Sequence, residues 1–280
     1  MKPCGSGMSW GEGPRWHQGA LWLSDTQGSL LWTGHGGSWK AAKLDSPSNG
    51  LWFLPDGRLT AAMMHEKRIG VWTGERFTTY ADLGAVATGP LGDLVGDGHG
   101  NLYVDDVGFA AHAGEAPRPG RLLRIAIDGS ATIAAEDIEF PNGLAFIDGG
   151  RTLIVAETTA QRLTAFSVDP DGKLSDRRLY ADIAALVGVN ARPDGIWATP
   201  RGVWVATTTG HAVVLVRDNA VLATIDTGTA FPIACCGDGG NRLFVTLADT
   251  GGRPLPEALA AKAVRTTVAV AEPFTARETS

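Results

Sequence analysis

The sequence is poor in cysteine, with three residues in a chain of 280. They are Cys4, Cys235 and Cys236, and because adjacent cysteines form a strained and uncommon bridge, no disulfide framework is expected. The first residues lack the apolar run of roughly 7 to 15 residues that a secretory signal peptide needs. No stretch approaches the ~18 apolar residues of a membrane span. These absences predict a cytoplasmic protein that does not bind membranes.

Positive charge is also scarce. Lys and Arg together number 24 against 30 Asp and Glu, which gives a formal net charge of −6. No block of basic residues occurs, so the electrostatic footprint of a nucleic-acid-binding protein is absent. The 44% of hydrophobic residues is ordinary for a globular protein with a large core. We expect one domain over residues 1–280 and a small-molecule partner; the composition carries no signal about oligomeric state.

Six segments share one order of features: a small or polar pair, a short apolar run, a Gly-rich turn and a second apolar strand. Aligned on the residue before the apolar run, they give Glu12, Asn49, Gly92, Asn142, Asp194 and Pro232. Further short strands follow in most copies, so each unit has about four strands in about 45 residues, the period of a propeller blade. The sequence therefore predicts an all-β, six-bladed β-propeller with four-stranded blades.

The two ends of the chain complete this prediction. Only residues 254–265, "PLPEALAAKAVR", have a helical pattern. The last apolar strand, which starts at Thr266, is expected to pair with a strand from the N-terminus. Such pairing closes the circle of blades and leaves fewer exposed sheet edges.

The six aligned residues, called the ring positions below, point to a metal site. In a propeller the innermost strand of each blade lines the central channel, so equivalent positions lie at one height around the axis. We expect Glu12, Asn142 and Asp194 to converge and to bind one divalent cation. Their hard oxygen donors favour Ca²⁺, with Mg²⁺ and Mn²⁺ as alternatives and Zn²⁺ less suited. Asn-Gly and Asp-Gly are also common turn dipeptides, so simple hairpin starts are the competing interpretation.

Four motifs relate the chain to a known family: "EGPRW" at 12–16, "LPDGRL" at 54–59, "FPNGLAF" at 140–146 and "RPDGIW" at 192–197. With them, the chain resembles the senescence marker protein, gluconolactonase and luciferin-regenerating enzyme family of six-bladed propellers. The resemblance implies a divalent metal held by Glu12, Asn142 and Asp194, and hydrolysis of lactones or related esters at the channel mouth. It also implies that Asp194 is the catalytic base.

The chain departs from the family in its third repeat. Where the family usually has Asn followed by Asp, this sequence has Gly92 and Asp93, and Pro90 replaces an Arg of some relatives. This loss of polar groups puts a sugar-lactone substrate in doubt. Two alternatives to a lactonase therefore stay open: a family member recruited to a cyclisation or dehydration step, and a non-catalytic, metal-stabilised propeller that binds a ligand.

Four further residues are predicted to contact substrate: Asn49, Asp93, Asp106 and His65. Solvated or turn-stabilising carboxylates are the competing interpretation for Asp93 and Asp106. A packed or surface position is the competing one for His65. The long insertion at 108–120 interrupts the third blade and is predicted to cover the channel mouth as a lid.

Overall fold

The computed structural model describes residues 1–273, without the side chain of His112. Within this part of the chain, twenty-four β-strands form six four-stranded antiparallel sheets. The innermost strands of the six sheets contact one another in sequence around a closed circle. The predicted six-bladed β-propeller is thus confirmed.

The first three blades follow the chain without interruption. Blade 1 contains β2 (Gly11–His17), β3 (Ala20–Asp25), β4 (Leu30–His35) and β5 (Ser38–Lys43). Blade 2 contains β6 (Ser48–Phe53), β7 (Leu59–Met63), β8 (Arg68–Trp72) and β9 (Phe77–Asp82). Blade 3 contains β10 (Leu91–Gly96), β11 (Leu102–Asp106), β12 (Gly120–Ile125) and β13 (Ala131–Ile138).

The next two blades repeat this order, and the sixth joins the two ends of the chain. Blade 4 contains β14 (Pro141–Ile147), β15 (Thr152–Glu157), β16 (Arg162–Val168) and β17 (Leu174–Asp182). Blade 5 contains β18 (Pro193–Thr199), β19 (Gly202–Thr207), β20 (Ala212–Arg217) and β21 (Ala220–Asp226). Blade 6 contains β22 (Phe231–Gly237), β23 (Leu243–Asp249), β24 (Arg265–Ala271) and, on its outer edge, β1 (Lys2–Met8).

The N-terminal strand closes the circle as expected. β1 pairs antiparallel with β24, from Lys2 opposite Val270 to Met8 opposite Thr266. Main-chain hydrogen bonds between the two ends of the chain therefore hold the first and last repeats together, and blade 6 has the same four strands as the others.

Burial falls from the inside of each blade outwards. Every residue of β10, β11, β15 and β19 is buried, because these strands lie between the faces of two neighbouring blades. In β21, an outermost strand, partly buried and exposed residues alternate, as the two faces of an edge strand require. The core consists of apolar clusters between adjacent blades, such as the one that joins β15 and β16 to β18, β19 and β20.

Helices are short in the described residues. The predicted helix at 254–265 is present as α2 (Leu255–Ala260) in the connection between β23 and β24. The sequence analysis missed α1 (Ile183–Leu186), a single turn whose N-cap Asp182 accepts a hydrogen bond from the Ala185 N–H at 3.0 Å. The insertion at 108–120 connects β11 and β12 and contains one 3₁₀ turn. No helix within residues 1–273 has the length and apolar character that crossing a membrane requires.

Candidate functional site

Each ring position is the second residue of an innermost strand. This holds for Glu12 in β2, Asn49 in β6, Gly92 in β10, Asn142 in β14, Asp194 in β18 and Pro232 in β22. The six residues therefore lie at one height around the axis, at the end of the channel where the innermost strands begin. Residues that align in the six sequence repeats therefore occupy equivalent positions in the structure.

The Asn-Gly and Asp-Gly pairs lie inside strands, not in hairpin turns. The pairing shifts register between Pro141 and Leu144 and between Pro193 and Ile196, so both residues of each pair form a β-bulge. The glycine after the ring position is needed for close approach, since a Cβ on Gly143 would lie 2.4 Å from the carbonyl oxygen of Asp194. These glycines let neighbouring innermost strands meet at the ring.

Glu12 lies half-buried at the ring. Its Oε1 accepts a hydrogen bond from the indole Nε1–H of Trp10 at 2.7 Å. Burial raises the pKa of Glu12 well above its ordinary value, and the negative charges of Asp194 and Asp93 raise it further, whereas the Trp10 hydrogen bond opposes this. Because the carboxylates of Glu12 and Asp194 interact electrostatically, a cation between them would relieve their repulsion.

Asp194 is buried, with 8% of its surface exposed. Its Oδ2 accepts a hydrogen bond from the Thr208 hydroxyl at 2.9 Å, and its Oδ1 is buried without a hydrogen-bond partner among the described residues. Burial raises the pKa of Asp194 to about 7, and the charge of Asp93 adds to this, while the hydrogen bond from Thr208 and the nearby amide of Asn142 oppose it. A buried carboxylate oxygen without a partner is costly, and a bound cation is one way to satisfy it.

Asn142 stands next to Asp194 around the ring. Its Nδ2 donates to the Thr158 hydroxyl at 3.3 Å, and that hydroxyl donates to the Pro193 carbonyl at 2.8 Å. Because the amide nitrogen is engaged on this side, the amide oxygen is the atom of Asn142 available as a ligand.

An arginine lies directly beside the ring. The Arg15 side chain is 5% exposed and reaches from blade 1 to blade 3, where Nη2 donates to Asp93 Oδ1 at 3.1 Å and to the Leu94 carbonyl at 2.7 Å. Its guanidinium also lies over the Trp52 ring, 5.5 Å from the centroid. Asp93 Oδ2 accepts from the Leu144 N–H at 3.3 Å. The Asp93 carboxylate is therefore held in a buried ion pair, and its predicted contact with substrate stays a prediction.

The other predicted substrate residues are spread around the same end of the propeller. Asn49 is half-buried at the ring position of blade 2. Asp106 is fully buried and accepts hydrogen bonds from the Thr88, Gly89 and Gly108 N–H groups at 2.6, 2.7 and 2.9 Å, so it fixes two loops. His65 is exposed in the turn between β7 and β8. Contact of these three residues with substrate is likewise still a prediction.

Three residues at the site escaped the sequence analysis: Trp10, Arg15 and Asp105. Trp10 precedes the first repeat, and Arg15 stands inside the motif "EGPRW", where nothing local indicates that its side chain reaches blade 3. Asp105 is fully buried on β11, and its Oδ1 accepts a hydrogen bond from the Asp93 N–H. A pair of acidic residues inside the apolar strand "LYVDD" was the one available signal for a buried carboxylate.

The predicted ligand set consists of two carboxylates and one amide. Within residues 1–273, no group of three or more His, Cys, Asp and Glu side chains is arranged to hold a metal ion. Any cation at the ring would therefore depend on the amide oxygen of Asn142 and on water as well as on Glu12 and Asp194. Such irregular oxygen sites are characteristic of Ca²⁺.

Comparison with known proteins relates the chain to lactonases. The family described as the SMP-30/gluconolactonase/LRE-like region matches residues 10–249. The pentonolactonase XacC of Haloferax volcanii is 26% identical over 257 residues, which make up 86% of this chain and 82% of that protein. A 6-deoxy-6-sulfogluconolactonase of Pseudomonas putida is 31% identical over 131 residues. That match covers 45% of this chain and 44% of the relative, less than half of its length.

Solved structures share the fold over nearly the whole chain. Regucalcin from Agrobacterium tumefaciens, described as a calcium-binding protein, superposes with a TM-score of 0.77 at 21% identity and covers 96% of this chain and 92% of its own. At this level of identity the likeness establishes the six-bladed architecture.

Proposed function

The chain belongs to the SMP-30/gluconolactonase/LRE-like family, and from this premise we propose that it is a divalent-metal-dependent hydrolase that opens a lactone or related ester at the mouth of the propeller channel. The observation that carries the proposal is the buried, unpartnered Oδ1 of Asp194 beside the carboxylate of Glu12. Its two relatives named above are lactonases, which makes lactones of sugar acids the first substrates to consider.

Glu12, Asn142 and Asp194 would hold the cation. All three offer oxygen, the donor that Ca²⁺, Mg²⁺ and Mn²⁺ prefer. Two carboxylates whose pKa values are raised by burial and by neighbouring negative charges fit a site that contains a positive charge. When bound, a divalent cation supplies Lewis acidity towards the carbonyl oxygen of the lactone. Ca²⁺ is the first choice for the ion.

Asp194 is placed to handle the proton of the attacking water. In the proposed reaction, water adds to the lactone carbonyl, its proton passes to a carboxylate oxygen of Asp194, and the ring C–O bond then breaks. The proton ends on the departing oxygen, so the product is a hydroxy acid. A pKa of about 7 suits a proton acceptor near neutral pH. A bound dication lowers the pKa of a ligating carboxylate, and Asp194 then chiefly orients the water.

Neighbouring side chains fix the geometry of these carboxylates. The Trp10 indole N–H holds Glu12, and the Thr208 hydroxyl holds Asp194, each through one carboxylate oxygen. The Oδ1 of Asp194 has no hydrogen-bond partner among the described residues and is therefore available to the cation. Glu12, Asn49 and Asn142 are half-buried, so each keeps part of its surface open to solvent.

Purified protein should be analysed for bound metal and, after EDTA treatment, titrated calorimetrically with Ca²⁺, Mg²⁺ and Mn²⁺. Hydrolysis of a panel of five- and six-carbon aldonolactones is followed by acid release. Glu12→Gln is expected to lose both cation binding and hydrolysis. Glu75→Gln, in the exposed turn between β8 and β9 at the opposite end of blade 2, is the matched control and should behave as the parent.

Two outcomes of this experiment would overturn the proposal. Cation binding without hydrolysis of any lactone, with Asp194→Asn altering thermal stability alone, overturns the hydrolase proposal in favour of a metal-stabilised binding propeller. Cation binding by Glu12→Gln as tight as that of the parent overturns the metal site itself.

A further inference from the structure

Blade 3 differs from its neighbours where the ring position meets the second strand. In blades 2, 4 and 5 the ring residue has a polar side chain, and together with the glycine after it forms a bulge opposite one second-strand alanine: Asn49 opposite Ala62, Asn142 opposite Ala156, and Asp194 opposite Ala206. In blade 3 the ring residue is Gly92, and the residue across from it is Asp105. The side chain at this height therefore comes from the second strand in blade 3.

The carboxylate of Asp105 fills the space that a side chain at position 92 would take. A Cβ on Gly92 would lie 2.3 Å from Asp105 Oδ2 and 2.6 Å from Asp105 Oδ1. An ordinary contact at a Cβ needs more than 3 Å, so a side chain at residue 92 would require the Asp105 carboxylate to move. The absence of a side chain at Gly92 thus leaves room for the Asp105 carboxylate.

Asp105 is buried among negative charges. Its surface is 0% exposed, and its Oδ2 has no hydrogen-bond partner within residues 1–273. Burial raises the pKa of Asp105 well above its ordinary value, and the charges of Asp93, Asp106 and Glu12 raise it further. The nearby guanidinium of Arg15 pairs with Asp93. An unpartnered carboxylate that interacts with Glu12 destabilises the metal-free protein.

We propose that Asp105 is an electrostatic positioning residue of the cation site, which supplies from the second strand of blade 3 the negative charge that Gly92 cannot supply at the ring. This inference rests on the proposed function, since it needs a cation at Glu12, Asn142 and Asp194. In this role Asp105 is not a ligand; its buried carboxylate attracts the cation through its charge. The same residue fixes the β10 bulge through the Asp93 N–H.

The proposed role of Asp105 predicts a different result for its substitution than a purely structural role does. Asp105→Asn keeps the size of the side chain and an oxygen that accepts from the Asp93 N–H, but removes the charge. The metal-free protein should therefore unfold at the same or a higher temperature than the parent, because a buried, repelled charge is gone. Cation affinity should fall in the same variant. A structural residue would instead lower the unfolding temperature with and without cation.

The test combines calorimetric titration of EDTA-treated protein with Ca²⁺ and thermal unfolding in EDTA and in saturating Ca²⁺, near pH 8. For Asp105→Asn we expect a Kd for Ca²⁺ about tenfold higher than that of the parent, as is typical for residues that tune a metal site from outside the ligand set. Asp128→Asn, in the exposed turn between β12 and β13 of the same blade, is the matched control. Asp105→Ala, which places in blade 3 the residue found opposite the ring in blades 2, 4 and 5, is a second charge-removing variant if Asp105→Asn does not fold.

The outcomes separate this inference from the proposed function. If Glu12→Gln loses Ca²⁺ binding and Asp105→Asn keeps the parent Kd, the role of Asp105 is wrong and the proposed metal site stands. An equal drop in unfolding temperature with and without Ca²⁺ also overturns the role of Asp105, because it indicates a structural residue. If the parent binds none of Ca²⁺, Mg²⁺ and Mn²⁺, both the inference and the proposed function fail.

Discussion

Blades 3 and 5 share one backbone arrangement but handle their carboxylates in opposite ways. In blade 5 the acid Asp194 is the ring residue, Gly195 follows it and Ala206 lies across from it. The neighbouring strand of blade 6 passes so close that a Cβ on Gly195 would lie 2.4 Å from the Ala234 Cβ. At this bulge of blade 5 the acidic side chain is thus that of Asp194, and its Oδ1 has no hydrogen-bond partner among the described residues.

In blade 3 the order is reversed. Gly92 is the ring residue, Asp93 follows it, and Asp105 lies across from it on β11. Arg15 neutralises Asp93, and two N–H groups complete the contacts of its carboxylate. The same bulge in the same fold therefore holds an acid without a charged partner among the described residues in blade 5 and an acid paired with an arginine in blade 3. The two acids differ by one position along the strand, because Asp194 is a ring residue and Asp93 follows one.

The difference between the two blades is tested most strongly by replacing the aspartate of each with asparagine. Asp194→Asn should reduce hydrolysis by about 100-fold or more, because it removes the predicted base and a predicted ligand. It should not lower the stability of the metal-free protein, since it removes a buried carboxylate whose pKa is raised. Asp93→Asn leaves the guanidinium of Arg15 buried without a charged partner, and we expect a loss of about 3 kcal/mol in the free energy of unfolding.

Urea unfolding of the EDTA-treated proteins measures the free energy of unfolding, and lactone hydrolysis at saturating cation measures the activity. Asp218→Asn, at an 86% exposed side chain of blade 5, is the control for the chemical change. If Asp194→Asn destabilises the metal-free protein as much as Asp93→Asn does, the two carboxylates have the same structural role and the comparison is wrong.

A second change converts blade 3 to the pattern of its neighbours. Gly92→Asn alone places a Cβ against both oxygens of Asp105, so we expect it to lower the free energy of unfolding by about 1 to 3 kcal/mol. Gly92→Asn/Asp105→Ala removes the overlap and should regain most of that stability. The two substitutions should thus be strongly non-additive in a double-mutant cycle. Additive effects would show that residues 92 and 105 do not share one space.

The fold was predictable because its signal is repeated. Six copies of one strand pattern fixed the number of blades, and their alignment placed Glu12, Asn142 and Asp194 at one height. The close approach of neighbouring strands explains the glycine after all four ring residues with oxygen side chains. It was not visible in the sequence, so the Asn-Gly and Asp-Gly pairs were also compatible with hairpin turns. α1 escaped because a single helical turn has no periodicity to detect.

The partners at the site were less predictable, because they come from different blades. Arg15 meets Asp93 across 78 positions of the chain, and no local pattern encodes such a contact. Asp105 replaces the side chain missing at Gly92 only after the two strands are paired in their register. A single repeat thus predicts the level along the propeller axis at which a residue lies. The charged partners of that residue come from several repeats and are known only once all six are folded together.

The smallest predicted effect concerns pH. The raised pKa of Asp194, about 7 against an ordinary 3.8, means that its contribution to the stability of the metal-free protein is present at low pH and is lost as the pH rises through about 7. Glu12 and Asp93 face this carboxylate with negative charge, and Asn142 and Thr208 face it with hydrogen-bond donors.

Cation binding needs ionised carboxylates, so the rise in unfolding temperature on adding Ca²⁺ should be larger near pH 8 than near pH 5. Asp194→Asn should flatten this dependence, whereas Asp105→Asn, which leaves the blade 5 acid in place, should keep most of it. A pH dependence that is unchanged by Asp194→Asn would show that the titrating group lies elsewhere, and the distinction between the two blades would lose its electrostatic basis.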